Sequence, residues 1–160
     1  AVRAGAFQSA LIELIALAAG ARATPSGLAP RAARSHLRRR LHRLHAQVVR
    51  AGDAFETLPI DAQHQARRRL KRLRYLAEFV GACFDARAAA HTTRRLEPAQ
   101  DALGAYVDDV VGLAQLRALT ATEPRAWFGV GWLQAGLPLR ARAARKALRA
   151  LKDLPAFWNG

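Results

Sequence analysis

Among 160 residues there is one cysteine, Cys83, and no methionine. A lone thiol closes no disulfide within the chain and builds no cysteine-based zinc site. No window of about 18 residues is uninterruptedly apolar, so the sequence offers no membrane span. The most apolar run, Ala10 to Ala19, contains Glu13 and lacks a basic segment ahead of a clear hydrophobic stretch. It reads as a helix rather than a signal peptide, and the chain as cytoplasmic. With no initiator methionine, the sequence reads as a piece of a longer one. Aromatic residues make up only 7%, and lysine is limited to Lys71, Lys146 and Lys152 beside 23 arginines.

What is present is apolar and basic. Hydrophobic residues account for 51% and charged residues for 24%, which suits one packed domain and argues against disorder. Turn signals cut the chain into five stretches of helical pattern. They run from about Val2 to Ala19, from Pro30 to Gly52, from Asp61 to Phe84 and from Ala88 to Leu119. The fourth starts late or kinks at Pro98. The fifth follows Pro124, is interrupted around Gly129 to Pro138, and resumes from Leu139 to Leu154. Leu37, Leu41, Leu44 and Val48 step by four, three and four, and Ala66, Leu70, Leu73, Ala77, Val80 and Phe84 keep that rhythm. Such stripes belong on the inner faces of an antiparallel bundle of about four to five helices. No stretch alternates like a strand, so the fold class is all-α.

The formal charge is +14, and it is segregated. Segments 31–50, 64–75 and 140–149 hold 18 basic side chains and no acid, whereas the other 118 residues hold eight basic and twelve acidic ones. A merely solvated surface mixes its signs, so three uniformly basic helices suggest a face for a polyanion. Arginine's planar fork of donors suits phosphate or carboxylate. In the third stretch His64, Arg67, Lys71 and Arg74 step by three, four and three, and fall within an arc of about 80° beside the apolar stripe. Glu78 shares that arc, so pairing of Lys71 and Arg74 with Glu78 is the plainer reading; an anion bound along the ladder is the functional one. In the second stretch His36, Arg39, Arg40, Arg43 and Arg50 share a face. In the fifth, Arg142, Arg145, Arg149 and Lys152 repeat the three-four-three step, with Lys146 adjacent.

Other chemistries find less support. His36 and His45 point to opposite sides of a helix, and His42 with His45 has no neighbouring carboxylate or cysteine, so a metal site is disfavoured. The chain has no nucleophile elbow, Walker loop or paired-carboxylate motif. Asp108 and Asp109 diverge on a helix, and Cys83 reads as a buried core thiol. The sequence therefore reads as a non-enzyme that asks for no cofactor. Tyr75 is the only aromatic inside the basic segments, which leaves single-stranded nucleic acid few stacking platforms. Backbone contacts to nucleic acid stand as the alternative to a polyanion without bases.

The third stretch, His64-Gln-Ala-Arg67-Arg-Arg-Leu-Lys71-Arg-Leu-Arg74-Tyr75-Leu-Ala-Glu78, resembles the H-x-x-R-x-x-x-K-x-L-R-Y-x-x-E signature of the CHAD family, the conserved-histidine α-helical domain. Gln100-Asp-Ala-Leu103-Gly104-Ala-Tyr-Val-Asp108 is similar to its L-Q-x-x-L-G-x-x-N-D stretch, with Ala99 and Val107 in place of Leu and Asn. The closing Phe157-Trp158 is similar too, so the likeness runs from about Pro30 onward. It implies a bundle of two related halves lined with basic residues and histidines, binding inorganic polyphosphate, often after a triphosphate-tunnel domain and sometimes at polyphosphate granules. His64, Arg67, Lys71 and Arg74 map onto the signature. The signature occurs once, so the chain resembles the C-terminal half of a pseudo-symmetric domain. A missing N-terminal half or a second copy is then an expected partner, with Leu11, Ile12, Leu14, Ile15 and Leu17 a contributing surface.

Overall fold

The computed structural model describes residues 30–159. The stretch expected from Val2 to Ala19 lies outside these residues. Four helices follow in order: α1 (Pro30–Asp53), α2 (Ile60–Val80), α3 (Ala86–Leu119) and α4 (Ala126–Ala150). Short 3-10 turns at Phe55–Thr57 and Gly81–Cys83 lie between helices, two more at Leu151–Asp153 and Phe157–Asn159 follow α4, and no strand occurs among the described residues. The packing described below is that of the compact unit His36–Gly160.

The expected stripes form the core. Leu41, Leu44 and Val48 of α1 meet Ala66, Leu70, Leu73 and Ala77 of α2, with Leu96 and Leu103 of α3 and Leu148 of α4. Each fully buried leucine contributes about 2 kcal/mol from the apolar surface it removes from water. Helix α3 runs antiparallel to both neighbours. Arg67 and Arg74 of α2 meet Asp108 and Glu97, in reverse order. Arg140 of α4 meets Asp109, while Gln134 takes a hydrogen bond from Arg117. Helix α1 lies against the end of α4, where His45 Nε2 donates to the Leu151 carbonyl oxygen at 2.7 Å. Beside it, a Cβ on Gly52 would stand 2.8 Å from Leu148 Cβ, so only glycine permits this approach.

Three sequence expectations are corrected. Helix α3 does not start late: Asp85 caps it, its Oδ1 accepting the Ala88 N–H at 2.9 Å, and the helix runs through Pro98 to Leu119. Helix α4 is not interrupted between Gly129 and Pro138. Pro98 and Pro138 both lie on exposed flanks, where water can reach the carbonyls that lose their N–H partners. Gly129 is a packing residue rather than a breaker, because a Cβ there would come 2.8 Å from Leu116 Cδ1. Cys83 is exposed, not buried. The 3-10 turn after Val80 changes the period from 3.6 to 3.0 residues and swings Cys83 outward while Val80 and Gly81 stay inside.

Candidate functional site

Helix α2 presents His64, Arg67, Lys71 and Arg74 as half-buried side chains along its core stripe, whereas Arg68 and Arg72 are exposed. The border position expected from spacing is thus where the ladder sits. What faces it was not expected. Arg67 lies 3.7 Å from Asp108. Arg74 NH1 donates to Gln100 at 3.2 Å and NH2 to Glu97 at 3.5 Å. Its Nε stands 3.0 Å from Glu78 Oε1 but is poorly aimed, so that contact is an ion pair more than a hydrogen bond. The anions that offset repulsion within the ladder are in part the protein's own.

Two rungs are less satisfied. Lys71 has no ion-pair partner among the described residues, so the pairing with Glu78 weighed from spacing is realised by Arg74 alone. The antiparallel register sets Lys71 level with Gly104, which carries no side chain and has open space where a Cβ would be. His64 Nε2 and Arg67 Nε are enclosed and lack hydrogen-bond partners among the described residues.

The fifth-stretch basics gather at one place. Arg142, Arg145, Lys146 and Arg149 of α4 line a shallow depression of about 430 Å³ together with Glu56, which accepts from Arg145 NH1 at 3.1 Å. Lys152 lies in the following 3-10 turn. His36, Arg39, Arg40 and Arg43 are exposed on α1, and this depression is lined without them. Asp108 and Asp109 diverge as expected, the first towards Arg67 on α2 and the second to Arg140 on α4. The ladder and the start of the α4 basics therefore lie on different flanks of α3.

Sequence reasoning missed the buried polar brace that fixes the start of α2. Tyr106 donates to Gln63 Oε1 at 2.8 Å, and Gln63 Nε2 donates to the Phe55 carbonyl at 2.9 Å. Gln63 stands three residues before Ala66, in line with the core stripe, and a glutamine in that register signals a buried hydrogen bond. An apolar surface was missed as well: Trp127, Phe128, Trp132 and Leu139 of α4 are 60%, 80%, 73% and 72% exposed. Among the described residues no helix is long and apolar enough to cross a membrane, and no three His, Cys, Asp or Glu side chains are grouped to hold a metal ion.

These features define an all-α bundle with a half-buried cationic ladder, His64 to Arg74, on α2. A family model described as the CHAD domain matches residues 1–117, and the chain belongs to that family. No curated protein and no solved structure matches it. The matched residues include those before Pro30 and end within α3, so α4 and Phe157-Trp158 lie beyond them. Ala99 and Val107, which depart from the family stretch, are both buried, so the departures fall at packing positions.

Proposed function

We propose that the chain binds long-chain inorganic polyphosphate through the α2 ladder and the basic depression of α4, without hydrolysing it. The observation that carries this reading is the half-buried ladder His64, Arg67, Lys71 and Arg74 in a chain of the CHAD family, whose members are associated with polyphosphate. A polyphosphate chain repeats its oxygens at short intervals, so cations at three-four-three spacing can meet successive units without reading a sequence. Retention at polyphosphate granules in the cytoplasm is what such affinity would produce.

The test is a titration of polyphosphate and of a DNA duplex at equal phosphate concentration and physiological salt, with phosphate release followed in parallel. Tighter binding of polyphosphate and no release above a protein-free control, with or without Mg²⁺, are expected. Equal or tighter DNA binding would sink the reading in favour of nucleic acid. One observation favours that alternative: Trp127, Phe128 and Trp132 are exposed and could stack on bases. They lie on the opposite half of α4 from the basic depression, with Trp132 about 15 Å along the axis from Arg142.

The resemblance to one half of a two-half fold also leads us to expect association through apolar surface. An exposed apolar face around Trp132 has a helical register: Phe128, Trp132, Ala135 and Leu139 step by four, three and four. A second copy can cover it in the isolated chain. Light scattering over a concentration series should show a dimer that Trp132→Glu weakens. A monomer at every concentration counts against this expectation.

A further inference from the structure

The basic segments of the sequence leave out a fourth group of cations. Arg87, His91 and Arg94 on the first half of α3 step by four and three, within about 60° of arc, and Arg95 adjoins them. All four side chains are exposed. Arg67, Arg74, Arg140 and Arg145 each have a carboxylate within reach. Arg87, Arg94 and Arg95 have no ion pair among the described residues. The ladder's three cations are opposed by Asp108, Glu78 and Glu97, so its local formal charge is close to nil. The α3 group has no such ion pair, although Arg94 also shares a depression with Glu78.

The group also sits in a built setting. His91 and Arg94 line two depressions at once. The first, about 450 Å³, is completed by Arg95, Pro98, Ala99, Ala147, Ala150 and Leu151 and contains no acid. The second, about 530 Å³, is completed by Asp85, Arg87, Ala88 and the closing Pro155, Ala156 and Phe157. Asp85 is the one acid there, and its Oδ1 is occupied by the Ala88 N–H. The closing segment is pinned: Thr92 donates to the Pro155 carbonyl at 2.6 Å, and Phe157 meets Phe84 edge-on at 5.5 Å. Cations of one sign between apolar walls focus their field into the cleft, where water screens it less than on an open surface.

From this we infer that Arg87, His91, Arg94 and Arg95 form a second phosphate-binding site, distinct from the ladder. It takes consecutive phosphates of an extended polyphosphate, one depression on either side of the His91–Arg94 step. The inference rests on the proposed polyphosphate reading and adds a site to it. Guanidinium groups unpaired before binding give up no internal carboxylate to take a phosphate. The α3 site should therefore be filled at least as readily as the ladder.

The test compares three variants of the full chain for affinity to long-chain polyphosphate at physiological salt. They are the α3 triple Arg87→Ala/Arg94→Ala/Arg95→Ala, the ladder pair Arg67→Ala/Lys71→Ala, and the charge control Arg68→Ala/Arg72→Ala/Arg125→Ala. All substituted α3 and control residues are exposed, and helicity and melting should be unchanged. The α3 triple should lose at least about tenfold in affinity, the scale of one charge-assisted hydrogen bond, and the control about threefold or less. An α3 triple no weaker than the control, with binding by the unaltered chain intact, overturns this site and leaves the proposed function standing. No binding by the unaltered chain overturns the proposed function, and the site with it. As a second measurement, the His91 ring resonances should shift on titration with tripolyphosphate, and Arg94→Ala should reduce that shift; unmoved resonances count against the site.

Discussion

Trp158→Ala is expected to destabilise the fold by about 3–5 kcal/mol, the range for deleting a buried large aromatic side chain. Trp158 is 0% exposed although it stands two residues from the end of the sequence. It meets Phe157 edge-on at 5.1 Å and the His45 ring at 5.9 Å. The same His45 holds the Leu151 carbonyl, so the tryptophan closes the junction between α1 and the end of α4. Its loss would leave a cavity there and loosen a hydrogen bond between elements 106 positions apart. For a chain of this length the loss corresponds to a melting temperature lower by about 6–20 °C. Trp127→Ala, at a 60% exposed position, should stay within about 0.5 kcal/mol. Denaturant unfolding of the two variants decides the matter: equal effects would mean that Trp158 does not anchor the core.

The contrast between these tryptophans marks what the sequence could convey. Apolar periodicity made the stripes of α1 and α2 legible, because steps of three and four place side chains on one face whatever the neighbours are. It also placed the ladder at the border of the core, where it is found. Spacing could not say which partner helix would cover that border. Glu97, Gln100, Gly104 and Asp108 form a matching stripe on α3, but only the antiparallel register turns it towards Arg74 and Arg67. Local signals misled where packing overrides them. Gly129 and Pro138 read as breakers, yet the close approach of α3 and α4 uses the first, and an exposed flank accommodates the second. Phe128 and Trp132 look like core residues by type and are exposed by position. The α3 cations escaped notice because the acids in the same long helix, Glu97, Asp101, Asp108 and Asp109, balance them in any count by segment.

Polyphosphate affinity should fall by about a hundredfold or more between 50 and 200 mM salt, and the slope should distinguish cations that the ladder's geometry separates. Binding to a polyanion is driven largely by release of its condensed counterions, and the logarithm of affinity falls linearly with that of salt, by nearly one unit for each phosphate neutralised. A cation already matched by a carboxylate adds little net neutralisation, since the displaced carboxylate gathers a counterion of its own. Lys71, Arg142, Lys146 and Arg149 have no ion pairs among the described residues, whereas Arg74 is held by Glu78 and Glu97. Lys71→Ala should therefore lower the slope by about one, as removal of a phosphate-contacting lysine does. Arg74→Ala should weaken binding by about 1–3 kcal/mol through lost charge-assisted hydrogen bonds while changing the slope much less. Isothermal titration at four salt concentrations measures both effects. If Lys71→Ala and Arg74→Ala change the slope equally, the carboxylates beside Arg74 do not compete with the ligand, and the ladder does not act as the geometry describes.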